Sequence, residues 1–179
     1  MSARYRFLPG ILTLVTLAAM QQPLAAQDTA LDDPTIIAIF DAANTADIET
    51  GTLAAERGAS NAVRQFGAML ARDHRAVRQQ GRDLAKKLGV TPTPPADQTS
   101  ARGHAAALKK LSKLSGSDFD RAFLQHEEIF HRDVIGAVKT TLLPAIKNQE
   151  LRELVVKVAP AFQAHMEMAQ NLSQQLATK

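Results

Sequence analysis

The chain has 179 residues, of which 45% are hydrophobic and 4% aromatic, and this length suits a single domain with a hydrophobic core. It contains no cysteine, which excludes disulfides, thiolate nucleophiles and thiolate metal ligands. The formal net charge is +3. Without the two arginines of the leader predicted below, 19 bases stand against 18 acids. So small an excess of positive charge argues against nucleic acid as the main partner.

Residues 1–26 have the pattern of a secretory signal peptide. Arg4 and Arg6 form a positively charged start, the apolar run Phe7–Met20 follows, and small residues end the segment, which places cleavage after Ala26. An uncleaved membrane anchor is the alternative, but the apolar run is shorter than the roughly 20 residues that a membrane span requires. No later segment is apolar enough to cross a bilayer. We therefore expect a mature protein that is periplasmic or secreted.

The remainder of the chain has the periodicity and composition of helices, without the alternation of a strand. After a short polar tail at 27–33, we predict one domain over 34–179. The predicted helices span 34–57, 61–88, 101–114, 117–141 and 148–176. Short connections favour two antiparallel pairs, and the proline-rich stretch 91–95 is long enough to cross between them. The sequence thus predicts an all-α antiparallel four-helix bundle with ferritin-like connectivity, whose long crossover carries a short extra helix.

Individual residues mark the expected ends of these helices. Asp33, which is followed by proline, is expected to begin the first helix. Ser117, Asp118 and Asp120 are expected to cap the helix that begins beside them. Pro160 falls inside the last helix, where it removes one backbone hydrogen bond and should produce a kink.

Two histidines occupy positions where the helical pattern calls for apolar residues. At about 100° per residue, His74 lies near the middle of the apolar stripe of the second helix. His165 lies in the same way on the last helix. A buried imidazole costs free energy unless a carboxylate, another polar group or a metal ion satisfies it. We therefore expect polar partners for both histidines inside the bundle.

Further acids and histidines fall on the inner faces of the other helices. On the first helix, Asp47 lies within the apolar arc and Glu49 at its edge. On the helix over 117–141, Glu127 lies inside the arc and His131 follows four residues later on the same face. A rise of about 1.5 Å per residue brings these groups to one layer of the bundle. The predicted cluster comprises Glu49, His74, Glu127, His131 and His165, with Asp47 as a further candidate.

This cluster has two interpretations. As a functional site it binds one divalent metal ion, since imidazole and carboxylate ligands suit zinc, copper, iron or manganese, and bundle cores commonly hold such sites. As a structural network, each histidine is hydrogen-bonded to an acid or a carbonyl group. An oxidising di-iron centre is disfavoured, because it requires a Glu-x-x-His pair on each of two helices and only Glu128 with His131 matches. His104, on the short helix, is expected at the surface. No catalytic motif indicates an enzyme.

Several segments resemble a known family. The stretch ADIETGTLA at 46–54, with two acids flanking one apolar residue before a glycine, is similar to the first-helix signature of that family, and ARDH at 71–74 is similar to the end of its second helix. DFDRAF at 118–123 resembles the entry of its third main helix, and residues 159–165 resemble the proline and histidine of its last. The family is domain of unknown function 4142. Its members are exported bacterial proteins, often labelled outer membrane proteins, which are grouped by fold with ferritin-like bundles.

The resemblance covers nearly all of residues 34–177 and implies fold and export, but it brings no established activity. One position departs from the family, which usually has an Asp before the histidine of the third main helix, where this chain has Phe130. Three functions stay open. The first is a buried site for one metal ion, and the second is a non-catalytic envelope or stress-related protein that binds a protein partner. The third is a metal-dependent oxidoreductase. The sequence leaves the oligomeric state undetermined.

Overall fold

A computed structural model describes residues 31–178. The signal peptide predicted for residues 1–26, and most of the polar tail, lie outside the described residues. The described part is helical and contains no β-strand, which confirms the predicted all-α class. Its helices are α1 (Asp33–Arg57), α2 (Asn61–Leu88), α3 (Thr99–Leu111), α4 (Gly116–Ala137), α5 (Leu143–Ala145) and α6 (Gln149–Ala177), with a π-helical turn (Val138–Leu142) between α4 and α5. None of these helices is both long and apolar enough to cross a bilayer.

α1 and α2 form an antiparallel pair around a three-residue joint. Ser60 caps α2 through its hydroxyl, which accepts a hydrogen bond from the Val63 N–H at 3.2 Å. α2 ends at Gly89, whose φ of 65° lies in the left-handed region. The two backbones approach so closely at Gly51 and Gly67 that a Cβ on residue 67 would lie 2.6 Å from the Gly51 carbonyl oxygen. This approach requires glycine and fixes the rotation of α1 against α2.

The start of α1 differs from the prediction. Its N-cap is Asp32, whose side chain accepts a hydrogen bond from the Thr35 N–H at 2.9 Å. Asp33 instead accepts hydrogen bonds from the backbone N–H groups of Lys147 and Asn148, at 2.9 and 2.8 Å. The helix thus begins one residue earlier than predicted, because proline occupies its second position rather than its first. Asp33 serves to tie the start of α1 to the start of α6.

α4 and α6 form the second antiparallel pair, joined through the π-helical turn and α5. The predicted capping by Ser117, Asp118 and Asp120 is wrong, since the N-cap of α4 is Ser115 and no side chain makes a cap bond there. The Asp120 carboxylate instead accepts hydrogen bonds from the backbone N–H groups of Ala59 and Ser60, each at 2.8 Å. It therefore joins α4 to the connection between α1 and α2, where backbone donors have no helical acceptor.

The crossover leads into α3, which lies against α1 and α4. Arg57, at the end of α1, donates hydrogen bonds to the carbonyl oxygens of Ser112 and Leu114 at 2.6 and 2.9 Å. These carbonyl groups follow the end of α3 and would otherwise have no helical donor. One arginine therefore fastens the short extra helix to the bundle.

The core has an apolar layer at each end and a polar layer between them. The apolar layer near the α1–α2 joint comprises Ala54, Val63, Phe66, Leu70, Leu111, Phe119, Phe123, Leu124, Ala169 and Leu172. The layer near the start of α6 comprises Ile36, Ile37, Ala85, Ile146, Leu151 and Val155. Between them, at mid-height on the four long helices, lie the buried polar residues Asn44, Asp47, Thr50, His74, Glu127, His131 and His165. The polar layer is enclosed by apolar packing from both ends.

Candidate metal centre

All four long helices contribute to the polar layer. α1 supplies Asp47, α2 supplies His74, α4 supplies Glu127 and His131, and α6 supplies His165. The centroids of the three imidazole rings lie 5.1 to 5.6 Å apart, and one ring nitrogen of each lies within 4.8 Å of the others. The structure thus brings together four of the five residues predicted as ligands, together with Asp47.

The neighbours of His74 fix the position of its proton. Nδ1 of His74 lies 2.9 Å from Oδ1 of Asn44, and the amide nitrogen of Asn44 donates to the Phe40 carbonyl at 2.8 Å. Because Oδ1 of Asn44 can only accept, His74 carries its proton on Nδ1 and has a free lone pair on Nε2. Burial, together with the nearby His131 and His165, lowers the pKa of His74 to about 2. The ring is therefore neutral.

His131 is oriented in a similar way. Its Nδ1 donates to the backbone carbonyl of Glu127 at 2.9 Å, so Nε2 carries the lone pair. This Nε2 atom is buried, has no hydrogen-bond partner among the described residues, and lies 3.9 Å from Oδ1 of Asp47. Burial lowers the pKa of His131 to about 4. His131 is thus a neutral imidazole whose free nitrogen lies beside a buried carboxyl group.

His165 is held between two hydrogen-bond acceptors. Its Nδ1 lies 3.2 Å from Nε2 of His74, which carries a lone pair, and its Nε2 lies 3.4 Å from Oδ2 of Asp73. A neutral imidazole has only one N–H, so one of these contacts lacks a proton. Burial lowers the pKa of His165, which disfavours the doubly protonated ring. A cation between His74 and His165 would remove the conflict and leave the N–H of His165 for Asp73.

Asp47 and Glu127 are buried, and their carboxyl oxygens have no hydrogen-bond partner among the described residues. No lysine or arginine in the described part of the chain pairs with either of them. Their close neighbours are histidines, with Oδ2 of Asp47 3.4 Å from Nδ1 of His74 and Oε2 of Glu127 3.5 Å from Nδ1 of His131. Burial raises the pKa of Glu127 to about 7. Burial, with the charge of Glu127, raises the pKa of Asp47 well above its ordinary value.

The arrangement fits a divalent transition-metal ion. Metal–nitrogen bonds of about 2.0–2.1 Å place two ligand atoms of a tetrahedral site roughly 3.3 Å apart. The two nitrogens of His74 and His165 that face each other are 3.2 Å apart, and Nε2 of His131 is 3.9 Å from Asp47. The close ligand atoms form two sets of three that share His131: His74, His131 and His165 in one, and Asp47, Glu127 and His131 in the other. Imidazole and carboxylate donors of this kind suit zinc, copper, iron or manganese.

Glu49 does not join the cluster, contrary to the prediction. It is exposed, and its Oε2 lies 2.7 Å from Nε2 of His104. Residues two apart on a helix point about 200° apart, so once Asp47 faces the core, Glu49 must face outward. His104, expected at the surface, is in fact largely covered, with 18% of its side chain exposed. The two residues instead join α1 to α3.

The similarity to known proteins bears on this fold and on its family. The family described as Domain of unknown function (DUF4142) matches the chain over residues 18–172. The chain belongs to this family. Among solved structures, a DUF305 fragment from Deinococcus radiodurans is similar, with a TM-score of 0.70, 16% identity, and coverage of 79% of this chain and 95% of that chain. At this identity the likeness shows the fold alone. No curated protein matches the chain.

Sequence reasoning missed Asn44, the residue that orients His74 in this DUF4142 domain. A signal for it exists, because Asn44 lies one helical turn before Asp47 and therefore shares its inner face. Thr50, one turn after Asp47, is buried as well, and its hydroxyl donates to the Ala46 carbonyl at 3.2 Å. Polar residues recurring every third position along one helix face thus mark the polar layer on α1.

Proposed function

We propose that this protein is an exported four-helix bundle that binds one divalent transition-metal ion in its polar layer. The ligands are His74, His131 and His165, and the carboxyl groups of Asp47 and Glu127, which lie beside His131, supply negative charge next to the ion. One observation carries the proposal: Nε2 of the neutral His131 ring and the buried carboxyl oxygens of Asp47 and Glu127 have no hydrogen-bond partner among the described residues. Beside them, His165 has a single N–H for two acceptors, His74 and Asp73. A bound cation would accept the lone pairs of these nitrogen and oxygen atoms and balance the negative charge of the carboxylates.

The rival interpretation is a polar layer with a purely structural role. Such a network would satisfy its buried groups by hydrogen bonds among themselves, as most buried polar groups do. Here the carboxyl oxygens of Asp47 and Glu127, and Nε2 of His131, have no such partner among the described residues. Protons kept on Asp47 and Glu127, whose pKa values are both raised, would close such a network. The two interpretations therefore differ in whether a metal ion takes the place of those protons.

The decisive experiment is to purify the mature protein from its native compartment without a histidine tag and to measure bound metals by mass spectrometry. We expect one equivalent of a transition metal, and we expect His74→Gln and His131→Gln to lose it. Because loss of an outer-shell partner already costs about 10–100-fold in affinity, loss of a ligand should cost more than about 100-fold. His104→Gln, a histidine outside the cluster, is the matched control and should keep the metal.

Circular dichroism of each variant shows whether the fold is retained. A wild-type protein that carries no metal, and takes up none of Zn²⁺, Fe²⁺, Cu²⁺ or Mn²⁺ on titration, would contradict the proposal. The polar core would then be structural, and function would have to be sought on the surface of the bundle.

The export part of the proposal is supported by the leader pattern at residues 1–26. N-terminal sequencing of the protein from the periplasm or the medium tests it directly. We expect the mature chain to begin at Gln27. A chain that keeps Met1 and stays in the cytoplasm would contradict export, although it would leave the metal site untouched.

A further inference from the structure

Within residues 31–178, the cluster has one polar connection to solvent, and it runs through His165. The side chains of Asp47, His74, Glu127 and His131 are at most 1% exposed. His165 is 5% exposed, and its Nε2 lies 3.4 Å from the carboxylate of Asp73, whose side chain is 33% exposed. Among the described residues, no other histidine or acid of the cluster contacts an exposed charged group. His165 therefore has one nitrogen toward the interior and the other toward the surface.

Apolar side chains close both ends of the cluster and the side next to Phe162. The ring of Phe162 lies 5.1 Å from the ring of His74 and 6.0 Å from that of His131. Phe66 and Leu70 belong to the apolar layer on one end of the cluster, and Ile36 to the layer on the other. A hydrated divalent ion cannot pass through such layers, because it would lose its hydration without gaining ligands.

We propose that Asp73 and His165 form the entrance through which a divalent cation reaches the buried site. This inference rests on the proposed function. Asp73 is the first ligand that an arriving ion meets, and its carboxylate replaces part of the hydration shell of the ion. His165 then passes the ion inward, because its two nitrogens face Asp73 on one side and His74 on the other.

Two further features support this role. The His165–Asp73 distance of 3.4 Å is longer than a well-formed N–H···O bond of 2.7–3.2 Å, so the contact is loose enough for the ring to turn. Pro160, five residues before His165, lies inside α6 and removes one hydrogen bond from the helix there. Both features leave His165 less firmly held than His131, whose Nδ1 donates to a helix carbonyl at 2.9 Å.

The positive charge of Arg72 allows a second test of the proposal, in which the rate of cation uptake should change in the opposite direction. The Arg72 Nε atom pairs with Oδ1 of Asp73 at 2.8 Å, so a positive charge stands beside the entrance. Such a charge slows the approach of a cation, just as a carboxylate speeds it. Asp73→Asn should therefore slow uptake, and Arg72→Gln should accelerate it.

The test is stopped-flow uptake and release of Zn²⁺, followed with a chromogenic chelator, on the full mature chain. For Asp73→Asn we expect association and dissociation to slow together by about 10-fold, with the Kd unchanged within about 2-fold. For Arg72→Gln we expect association to rise about 2- to 5-fold at low salt, a gain that 0.5 M salt should abolish. Asp83→Asn, an exposed acid on the same helix, is the matched control and should change neither rate.

Each outcome decides the question. Unchanged rates in Asp73→Asn would overturn the entrance. A faster dissociation with a weaker Kd would also overturn it, because that result assigns Asp73 a positioning role toward His165 instead. A wild-type protein that binds no Zn²⁺ or other cation would refute the proposed function itself, and the entrance with it, before any variant is compared.

Discussion

Replacing the buried Glu127 by glutamine should stabilise the metal-free protein at alkaline pH. Burial raises the pKa of this carboxyl group from 4.5 to about 7, whereas the unfolded chain titrates near the ordinary value. Below pH 4.5 the group is protonated in both states and carries no penalty. Between pH 4.5 and 7 only the unfolded chain ionises, so the free energy of unfolding falls as the pH rises. Above pH 7 the group is ionised in both states, and its burial lowers the free energy of unfolding by the full amount of about 3 kcal/mol.

Urea unfolding of chelator-treated protein, followed by circular dichroism, measures this penalty. We expect the free energy of unfolding of Glu127→Gln to be about 3 kcal/mol higher than that of the wild type at pH 8. At pH 5 the difference should be less than about 1 kcal/mol. Glu56→Gln, which removes an exposed acid from α1, should change stability by less than about 0.5 kcal/mol at either pH. A Glu127→Gln protein less stable than the wild type at pH 8 would refute the reasoning, because the ionised carboxylate would then stabilise the fold.

Two further predictions concern the packing that positions the site. Gly67→Ala places a Cβ 2.6 Å from the Gly51 carbonyl oxygen, so α1 and α2 must separate. Urea unfolding should show that the free energy of unfolding falls by about 2–3 kcal/mol. Gly103→Ala, with no atom within 4 Å of the added Cβ, should be neutral or stabilising by up to about 1 kcal/mol, and equal effects of the two changes would contradict the close approach. Asp120→Ala leaves two backbone donors of the α1–α2 joint without their acceptor and should cost about 1–3 kcal/mol. Amide hydrogen exchange at Ala59 and Ser60 should accelerate, and unchanged exchange there would count against the bond.

The helices are largely predictable because glycine and proline mark most of their ends. Gly89 adopts the left-handed conformation that ends α2, and the joint at 58–60 permits no more than a tight turn. The sequence carries no comparable signal for the π-helical turn, so the helix predicted over 117–141 ends its regular part at Ala137. Long-range capping is equally invisible, since Asp120 binds backbone groups some 60 residues away in the chain.

The candidate site is predictable where one helix face is clearly apolar, and less so on α1. On α2, α4 and α6 the histidines and Glu127 interrupt apolar stripes, which reveals them as buried. α1 is apolar on several sides, with Ile37, Ala38 and Ile48 all buried as well as Ile36, so its predicted apolar arc is wide enough to contain Asp47 and to reach Glu49 at its edge. The contact of Gly51 with Gly67 decides the rotation of α1, and it turns Asp47 inward and Glu49 outward.

What distinguishes a metal site from a structural network is the balance of donors and acceptors, which follows only from the contacts. His74 donates its one N–H to the Asn44 side-chain oxygen and His131 donates its one N–H to the Glu127 backbone carbonyl, so neither N–H serves a side chain of the cluster. The Thr50 hydroxyl donates to a helix carbonyl. The groups that face the interior of the cluster are therefore mostly hydrogen-bond acceptors, namely imidazole nitrogens and carboxyl oxygens. The N–H of His165 is the one imidazole donor left for them. Such an interior is completed only by cations, either protons on Asp47 and Glu127 or a metal ion. Since a metal ion competes with those protons, its binding should release them and should strengthen as the pH rises toward 7.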